Sequence, residues 1–302
     1  MGLLTRSAPQ KATVEHRGFF LFQSLRHLLL PILLMIALAG CRSIPSPDAR
    51  VAGADHLADQ QGWHASVIAA GKFSLTAYLP RTITPSPSLT VYIEGDGLAW
   101  VGGSRPSQDP TPVDPLALRL ALAQTAGNAA YLARPCQFAG RSDSACAESY
   151  WTDGRFSREV VESTNIAADA LMRRFGADRL TLVGYSGGGA IAALVAARRP
   201  DVVLLITVAG NLDHDDWTNY HNILPLTGSE NPANQTANLR NIPQRSYAGG
   251  KDRNIPPELA MRFLDRFPLA QRPTLIIESG FDHHCCWAES WPRIYSEISL
   301  PQ

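Results

Sequence analysis

Excess charge of either sign is absent from this sequence of 302 residues, in which 27 acidic residues balance 27 basic ones. Without a positive field, the chain has no electrostatic attraction for nucleic acid or for an anionic membrane surface, and we expect no nucleic-acid partner. Internal repeats and low-complexity tracts are absent too. Because 45% of the residues are hydrophobic and only 18% are charged, the composition indicates a globular protein with a well-filled core.

A membrane-spanning run of about 20 apolar residues is also lacking near the N-terminus, since the apolar stretch at residues 28–38 is short and is interrupted by Pro31. Basic residues precede this stretch and small residues follow it, which is the order found in a secretory signal peptide. The sequence Leu38-Ala39-Gly40-Cys41 resembles the lipobox of bacterial lipoproteins. The resemblance implies that residues 1–40 are a signal peptide and that Cys41 is acylated.

The predicted anchor at Cys41 bears on the location of the protein. Two or more acyl chains on one residue hold a protein stably at a membrane. Arg42 rather than aspartate follows the cysteine, which by resemblance to Gram-negative lipoproteins favours the outer membrane, facing the periplasm. Residues 41–61 are polar and contain two prolines, so we expect a flexible lipid-anchored tether without a fold, followed by one domain over residues 62–302. The alternative is an ordinary signal peptide beside a coincidental cysteine.

Cysteine is scarce, with five residues in the whole chain. Export and the use of Cys41 for lipid leave Cys136, Cys146, Cys285 and Cys286, an even number that allows three pairings in an oxidising compartment. We favour a disulfide between Cys136 and Cys146, which closes a short loop. Cys285 and Cys286 are then either a strained vicinal disulfide or two free thiols.

Strand and helix patterns alternate along most of the chain. We predict strands at residues 63–69, 73–79, 89–94, 129–133, 180–183, 202–208, 245–248 and 274–278. We predict helices at residues 115–123, 157–175, 188–198, 257–267 and 287–298. This alternation implies an α/β fold with a mostly parallel central sheet and helices on both faces. Two long polar segments, residues 98–114 and 211–241, are typical of loops that border a pocket, and the second, with Trp217, is typical of a lid.

The strongest motif for chemistry is Gly184-Tyr185-Ser186-Gly187-Gly188-Gly189, which stands between a predicted strand and a predicted helix. In a Gly-x-Ser-x-Gly elbow the serine occupies a strained turn whose neighbours must be nearly free of side chains. The N–H groups of the following helix point toward any negative charge that develops beside Ser186. We therefore predict that Ser186 is a nucleophile. A glycine-rich turn without chemistry is the alternative.

A nucleophilic serine needs a base to accept its proton and an acid to orient that base. Asp252 lies just beyond the predicted strand 245–248, and His283 and His284 follow the last predicted strand. The carboxyl ends of parallel strands meet at one edge of a sheet, which is where Ser186 is also expected. Other candidates for the acid are Asp213, Asp215, Asp216 and Asp282.

These three motifs, in the order serine, aspartate, histidine, resemble those of the α/β-hydrolase superfamily over about residues 62–302. The resemblance favours His283 over His284, because His283 stands three residues after Gly280. It also implies an oxyanion hole. Gly187, which follows the nucleophile, supplies one N–H.

The second N–H of that hole is expected from Glu94-Gly95-Asp96-Gly97, which occupies the place of the family's His-Gly element. We predict the donor to be Asp96, with Gly97 second. The Asp96 carboxylate is expected to point away from the pocket, because its charge inside the pocket would oppose an oxyanion.

The resemblance as a whole implies a serine hydrolase that cleaves a carboxylic ester or related acyl bond, with a small-molecule or lipid acyl substrate and without a cofactor. A metal site in the run from His283 to Cys286 is disfavoured, because consecutive residues cannot all converge on one ion. The alternative function is a non-catalytic envelope lipoprotein that uses the fold as a binding or scaffolding surface.

Overall fold

The computed structural model of the protein describes residues 44–139 and 144–298. The predicted signal peptide and Cys41 lie outside the described residues. Ten strands are found in the described part, and they are β1 (Trp63–Ala70), β2 (Phe73–Pro80), β3 (Ser88–Ile93), β4 (Trp100–Val101), β5 (Arg105–Pro106), β6 (Asn128–Leu132), β7 (Arg179–Tyr185), β8 (Val202–Val208), β9 (Gln244–Gly249) and β10 (Thr274–Glu278).

Eight of these strands form one sheet in the order β1-β2-β6-β3-β7-β8-β9-β10. The pairs β1-β2 and β2-β6 are antiparallel. The remaining neighbours in this order, from β6 and β3 to β9 and β10, are parallel. The carboxyl ends of the parallel strands therefore share one edge of the sheet, where loops from distant parts of the chain meet.

The helices that surround the sheet are α1 (Pro47–Gln60), α2 (Leu116–Leu122), α3 (Arg158–Phe175), α4 (Gly187–Ala196), α5 (His214–His221), α6 (Thr236–Leu239), α7 (Pro257–Leu264) and α8 (Trp287–Ser296). Side chains of α3, α4 and α7 pack against one face of the sheet, and side chains of α1, α2 and α8 pack against the other. None of the helices found in the described residues is long and apolar enough to span a bilayer.

Strand β3 shows why the sheet is covered on both faces. Leu89, Val91 and Ile93 belong to one core cluster, while Tyr92, which points the opposite way, belongs to the other. Successive side chains of a strand alternate between the faces, so a strand with buried side chains on both faces requires a layer on each side. The prediction of a mostly parallel sheet between two helical layers is confirmed, with element ends shifted by a few residues.

The prediction of an unstructured tether through residue 61 is wrong, because helix α1 covers residues 47–60 of it. The Ser46 side chain caps the helix by accepting the Ala49 N–H at 3.2 Å. The proline at the first helical position is compatible with a helix, since that position has no intrahelical N–H bond to lose. Ala54 and Ala58 are buried in the core, so the folded domain begins before residue 62.

Arg50 joins this helix to the segment that precedes α2. Its guanidinium donates to the backbone carbonyls of Asp109 and Thr111 and lies 3.5 Å from the Asp109 carboxylate. The Arg50 side chain is 3% exposed, and the backbone carbonyls satisfy donors that would otherwise be buried without partners. Helix α1 thus fixes one end of the long loop at residues 98–114.

Candidate active site

Ser186 lies at the sharp turn between β7 and α4, with φ 52° and ψ −122°. A positive φ is strained for a residue with a side chain, and such strain persists only where the surrounding structure imposes it. The Ser186 N–H donates to the Val208 carbonyl at 2.9 Å, which ties the turn to the neighbouring strand. A Cβ on Gly188 would lie 2.4 Å from the carbonyl oxygens of Ile93 and Glu94, so the approach of α4 to β3 requires glycine.

The structure brings Ser186, His283 and Asp252 into one hydrogen-bonded row. Ser186 Oγ lies 3.0 Å from His283 Nε2, and His283 Nδ1 lies 2.7 Å from Asp252 Oδ2. Both contacts are within normal hydrogen-bond distance. The three residues are 8%, 9% and 3% exposed, so the row lies just beneath the surface, with its serine end toward the solvent-accessible cavity.

Backbone contacts hold the Asp252 carboxylate in place. Its Oδ1 accepts N–H bonds from Asn254 and Ile255, both at 2.8 Å. The remaining oxygen is left to face the histidine. The Asn254 side-chain amide also lies 3.1 Å from His283 Nε2, beside the serine contact.

His284 takes a different position. Its Nδ1 lies 3.0 Å from the Tyr185 hydroxyl. Burial lowers the pKa of His284, and the neighbouring His283 lowers it further. The Tyr185 hydroxyl also donates to the His283 carbonyl at 3.1 Å, so it fixes the backbone between the two histidines. Asp282 accepts the N–H groups of His284 and Cys285 at 2.8 and 2.7 Å, and these bonds lower the pKa of Asp282. Asp282 thus shapes the loop.

The other three aspartates considered as the acid lie around helix α5, and their hydrogen bonds with described residues do not involve His283. Asp213 caps α5 by accepting the Asp216 N–H and also accepts from Arg266. Asp215 accepts from the Asn231 amide at 3.1 Å. Their contacts are those of residues that stabilise the start of a helix.

Two backbone N–H groups beside Ser186 have no partner among the described residues. These belong to Gly187, the first residue of α4, and to Asp96. The carbonyl of Gly95 accepts a 2.9 Å hydrogen bond from Gln137 Nε2. Since the C=O and N–H of a trans peptide point in opposite directions, this bond aims the Asp96 N–H away from Gln137.

The Asp96 side chain does not point away from the turn, which corrects the expectation from sequence. A Cβ on Gly187 would lie only 2.0 Å from Asp96 Oδ1. Arg155 Nη1 contacts Asp96 Oδ2 at 2.6 Å, and Arg134 Nη1 contacts Oδ1 at 3.2 Å. Burial opposes ionisation of Asp96, but the charges of the two arginines outweigh it and lower the pKa of Asp96. The two guanidinium groups therefore compensate the charge that sequence reasoning treated as unfavourable.

Glu94 is a second carboxyl group on the same loop. It is 1% exposed, and its Oε1 accepts the Gly95 N–H at 2.9 Å. Burial raises the pKa of Glu94 to about 7, against the opposing effect of the N–H bonds from Gly95 and Ala117. The group therefore changes charge near neutral pH.

A cavity of about 1020 Å³ opens onto Ser186 and His283. Loop 98–114 supplies part of its wall, and helix α5 with the loop after it supplies another part. Most of the wall is apolar, from Leu98, Ala99, Trp100, Pro112, Val113, Trp217, Ile223, Leu224 and Leu226. The two long segments predicted to border a pocket thus both do so, with Trp217 in the second.

The cysteine pairs lie at two places. The Cα atoms of Cys136 and Cys146 are 5.6 Å apart, a separation that a disulfide spans. Cys285 and Cys286 follow the histidines, with their sulfur atoms next to each other. The disulfide between Cys136 and Cys146 stays a prediction, and so do the two alternatives for Cys285 and Cys286, a vicinal disulfide or two free thiols.

Sequence reasoning did not identify Gln137, Arg134, Arg155 and Asn254 as residues of this site. A signal was present for the first two, because Arg134 and Gln137 follow directly after the buried strand β6, and polar residues at the carboxyl ends of parallel strands often face a site. Arg155 follows no strand. Its place depends on a contact with Asp96 across 59 residues of sequence.

No protein-family model and no curated protein matches the sequence. Solved structures do match. Est1E from Butyrivibrio proteoclasticus has a TM-score of 0.54 at 15% identity, covering 77% of this chain and 96% of that one. The esterase Pf2001 from Pyrococcus furiosus has a TM-score of 0.54 at 13% identity, covering 77% and 88%. An alpha-beta serine hydrolase homologue from Coxiella burnetii has a TM-score of 0.52 at 16% identity, covering 77% and 94%. The chain is similar to these proteins in its fold, which is the α/β-hydrolase fold.

Proposed function

We propose that this protein with an α/β-hydrolase fold is a serine hydrolase that cleaves a carboxylic ester through an acyl-enzyme intermediate. One observation carries the proposal, and it is the row of hydrogen bonds from Ser186 through His283 to the buried Asp252 at the edge of the cavity. The esterase Pf2001 and the serine hydrolase homologue from Coxiella burnetii, which have the same fold, support the reaction class. The fold by itself would be compatible with other functions.

In the first half of the reaction, Ser186 Oγ attacks the carbonyl carbon of the ester while His283 Nε2 accepts the serine proton. Asp252 Oδ2 accepts the Nδ1–H of His283, which holds the imidazole in the correct tautomer and stabilises its charged form. Because the other oxygen of Asp252 is held by two backbone N–H groups, the ring has one preferred orientation.

The tetrahedral intermediate places a negative charge on the former carbonyl oxygen. The N–H groups of Gly187 and Asp96 donate to this oxygen, and the N-terminus of α4 adds the positive end of its dipole. His283 then gives its proton to the leaving alcohol, and Ser186 retains the acyl group. A water molecule activated by His283 releases the acid in the second half.

The test is labelling of the purified protein, residues 42–302, by a fluorophosphonate probe, followed by a panel of 4-nitrophenyl esters of increasing acyl length. We expect labelling and ester hydrolysis in wild type and neither in Ser186→Ala. Thermal unfolding of both proteins provides the folding control. A folded wild-type protein that the probe does not label contradicts the proposal and favours the scaffolding alternative.

We further propose that Cys41 carries lipid and holds the protein at the bacterial outer membrane, facing the periplasm. The motif at residues 38–41 and the preceding apolar stretch support this. Cells grown with a labelled fatty acid should yield labelled protein from wild type, and Cys41→Ser should remove the label and release the protein from the membrane fraction. Equal labelling of the two proteins would contradict the proposal.

A further inference from the structure

The cavity contains a positively charged group that the proposed ester chemistry does not use. Arg155 is only 5% exposed, yet it lines the same cavity as Ser186 and His283. Its Nε donates to the Thr152 carbonyl and its Nη1 to Asp96, each at 2.6 Å. The third nitrogen, Nη2, makes no hydrogen bond with any described residue. One donor of a buried guanidinium is therefore left for a ligand.

Among the described residues, the cluster of Arg134, Arg155 and Asp96 has two positive charges and one negative charge. Two guanidinium groups share the single carboxylate of Asp96, and the Arg134 and Arg155 side chains are only 5% and 6% exposed. A buried charge without a counter-charge is costly, because water no longer solvates it. An anion that enters the cavity would remove this excess.

Other charged groups of the cavity wall leave Arg155 as the natural partner of such an anion. Among the described residues that line the cavity, Arg155 is the one with a permanent positive charge. The Asp114 carboxylate is 55% exposed at the rim and accepts from Arg119 at 2.8 Å, a guanidinium that it shares with Glu289, so solvent and Arg119 together screen its charge. Glu94 carries only part of a charge near neutral pH, because burial raises its pKa to about 7.

The surroundings of Arg155 are apolar, and this defines the rest of the ligand. The Trp217 ring centre is 5.9 Å from the guanidinium carbon, and Leu98 and Leu226 belong to the same wall. A guanidinium in an apolar, desolvated wall forms stronger hydrogen bonds with a carboxylate than one in water does. A ligand with an apolar body and one carboxylate matches both features.

We propose that the ester cleaved at Ser186 carries a carboxylate that accepts a hydrogen bond from Arg155 Nη2, so that the protein selects acid-ended esters over neutral ones. This inference rests on the proposed serine hydrolase function. Arg155 is then the residue that determines the selectivity for a negatively charged substrate.

The test compares two pairs of substrates that differ only in the charge of one end. The first pair is the mono(4-nitrophenyl) ester of suberic acid and the same compound with its free carboxyl as a methyl ester. The second pair places the charge on the alcohol side, as the butyrate esters of 6-hydroxyhexanoic acid and of its methyl ester. We expect wild type to prefer the acid-ended member of at least one pair by about 10- to 100-fold in kcat/KM, as a charged hydrogen bond provides.

Variants assign the preference to Arg155. In Arg155→Met we expect the ratio of kcat/KM between acid-ended and methyl-capped esters to fall to about 1, while Arg155→Lys keeps part of it because the positive charge remains. Arg262→Gln is the matched control, since Arg262 is exposed and pairs with Asp216 outside the cavity. It should retain the wild-type ratio.

Two results overturn the inference. One is a wild-type protein that cleaves the methyl-capped member as fast as the acid-ended member in both pairs, which requires no variant. The other is an Arg155→Met protein that retains the wild-type ratio. In both cases Ser186-dependent hydrolysis of the neutral esters would still support the serine hydrolase function, so failure of the inference is distinguishable from failure of that function.

Discussion

Replacement of Asp252 by asparagine is the most direct test of the proposed proton path. The Asp252 side chain is fully buried, with Oδ1 held by the N–H groups of Asn254 and Ile255 and with Oδ2 2.7 Å from His283 Nδ1. An asparagine that keeps the backbone bonds through its oxygen would turn its NH₂ group toward His283. Nδ1 would then have to accept a hydrogen bond, so that Nε2 carries the proton and cannot take one from Ser186.

The size of the effect follows from that change of tautomer. The corresponding substitution in a serine protease of the trypsin type lowers kcat by about 10⁴. Since each tenfold loss corresponds to about 1.36 kcal/mol of barrier, we expect Asp252→Asn to lose about 5 kcal/mol of transition-state stabilisation. KM should change little, because Asp252 is separated from the cavity by His283.

The assay is steady-state hydrolysis of the best 4-nitrophenyl ester, together with the rate of fluorophosphonate labelling. Asp282→Asn serves as the matched control, because Asp282 adjoins the same histidine but accepts only backbone N–H bonds, which an asparagine oxygen can also accept. It should retain nearly full activity. An Asp252→Asn protein that keeps more than a tenth of wild-type kcat would refute the assignment of the acid.

Three other predictions concern the neighbouring residues. His283→Ala should abolish fluorophosphonate labelling of Ser186, whereas His284→Ala should retain it; the opposite result would show that His284 is the base. Gln137→Leu should lower kcat about tenfold or more without raising KM, since the complete loss of an oxyanion donor costs about 10² to 10³ in kcat. Gln137→Glu should lower kcat to a similar extent, because an ionised carboxylate cannot donate to the Gly95 carbonyl. The pKa of Glu94 is about 7 in the folded protein and 4.5 in the unfolded one. Ionisation of Glu94 therefore destabilises the folded state as the pH rises from the lower value to the higher one, and the complete loss is ~3 kcal/mol. Denaturant unfolding should therefore show Glu94→Gln gaining stability relative to wild type between pH 5 and pH 8, and a difference that does not vary with pH would contradict the reasoning.

Local patterns were sufficient to predict the row that begins at Ser186. Glycines on both sides of the serine, a buried strand before it and a helix after it predict one sharp turn. Asp252 and His283 could be found for a related reason, since each follows a strand of the parallel sheet, and such strand ends meet at one edge. The chemistry of these residues and their place in the fold therefore depend on the same short stretches of sequence.

Residues whose position depends on distant contacts could not be predicted in this way. Gln137 reaches the Gly95 carbonyl across 42 positions of sequence, and Arg155 reaches Asp96 across 59. Periodicity and turn signals report on neighbours within a few residues, so they carry no information about these pairs. The charge of Asp96 was interpreted without its two arginines, and for that reason the expected direction of its side chain was wrong.

The contact between Arg50 and the carbonyls of Asp109 and Thr111 makes helix α1 a structural support of the cavity wall. Thr111 directly precedes Pro112 and Val113, which belong to the cavity wall. A protease that cut the chain between α1 and β1 and released the helix would leave the row from Ser186 to Asp252 intact but would free the loop that shapes the cavity. Such a nicked protein would still react with a small phosphonate probe while losing its discrimination among larger esters, so active-site labelling alone would overestimate the amount of functional enzyme.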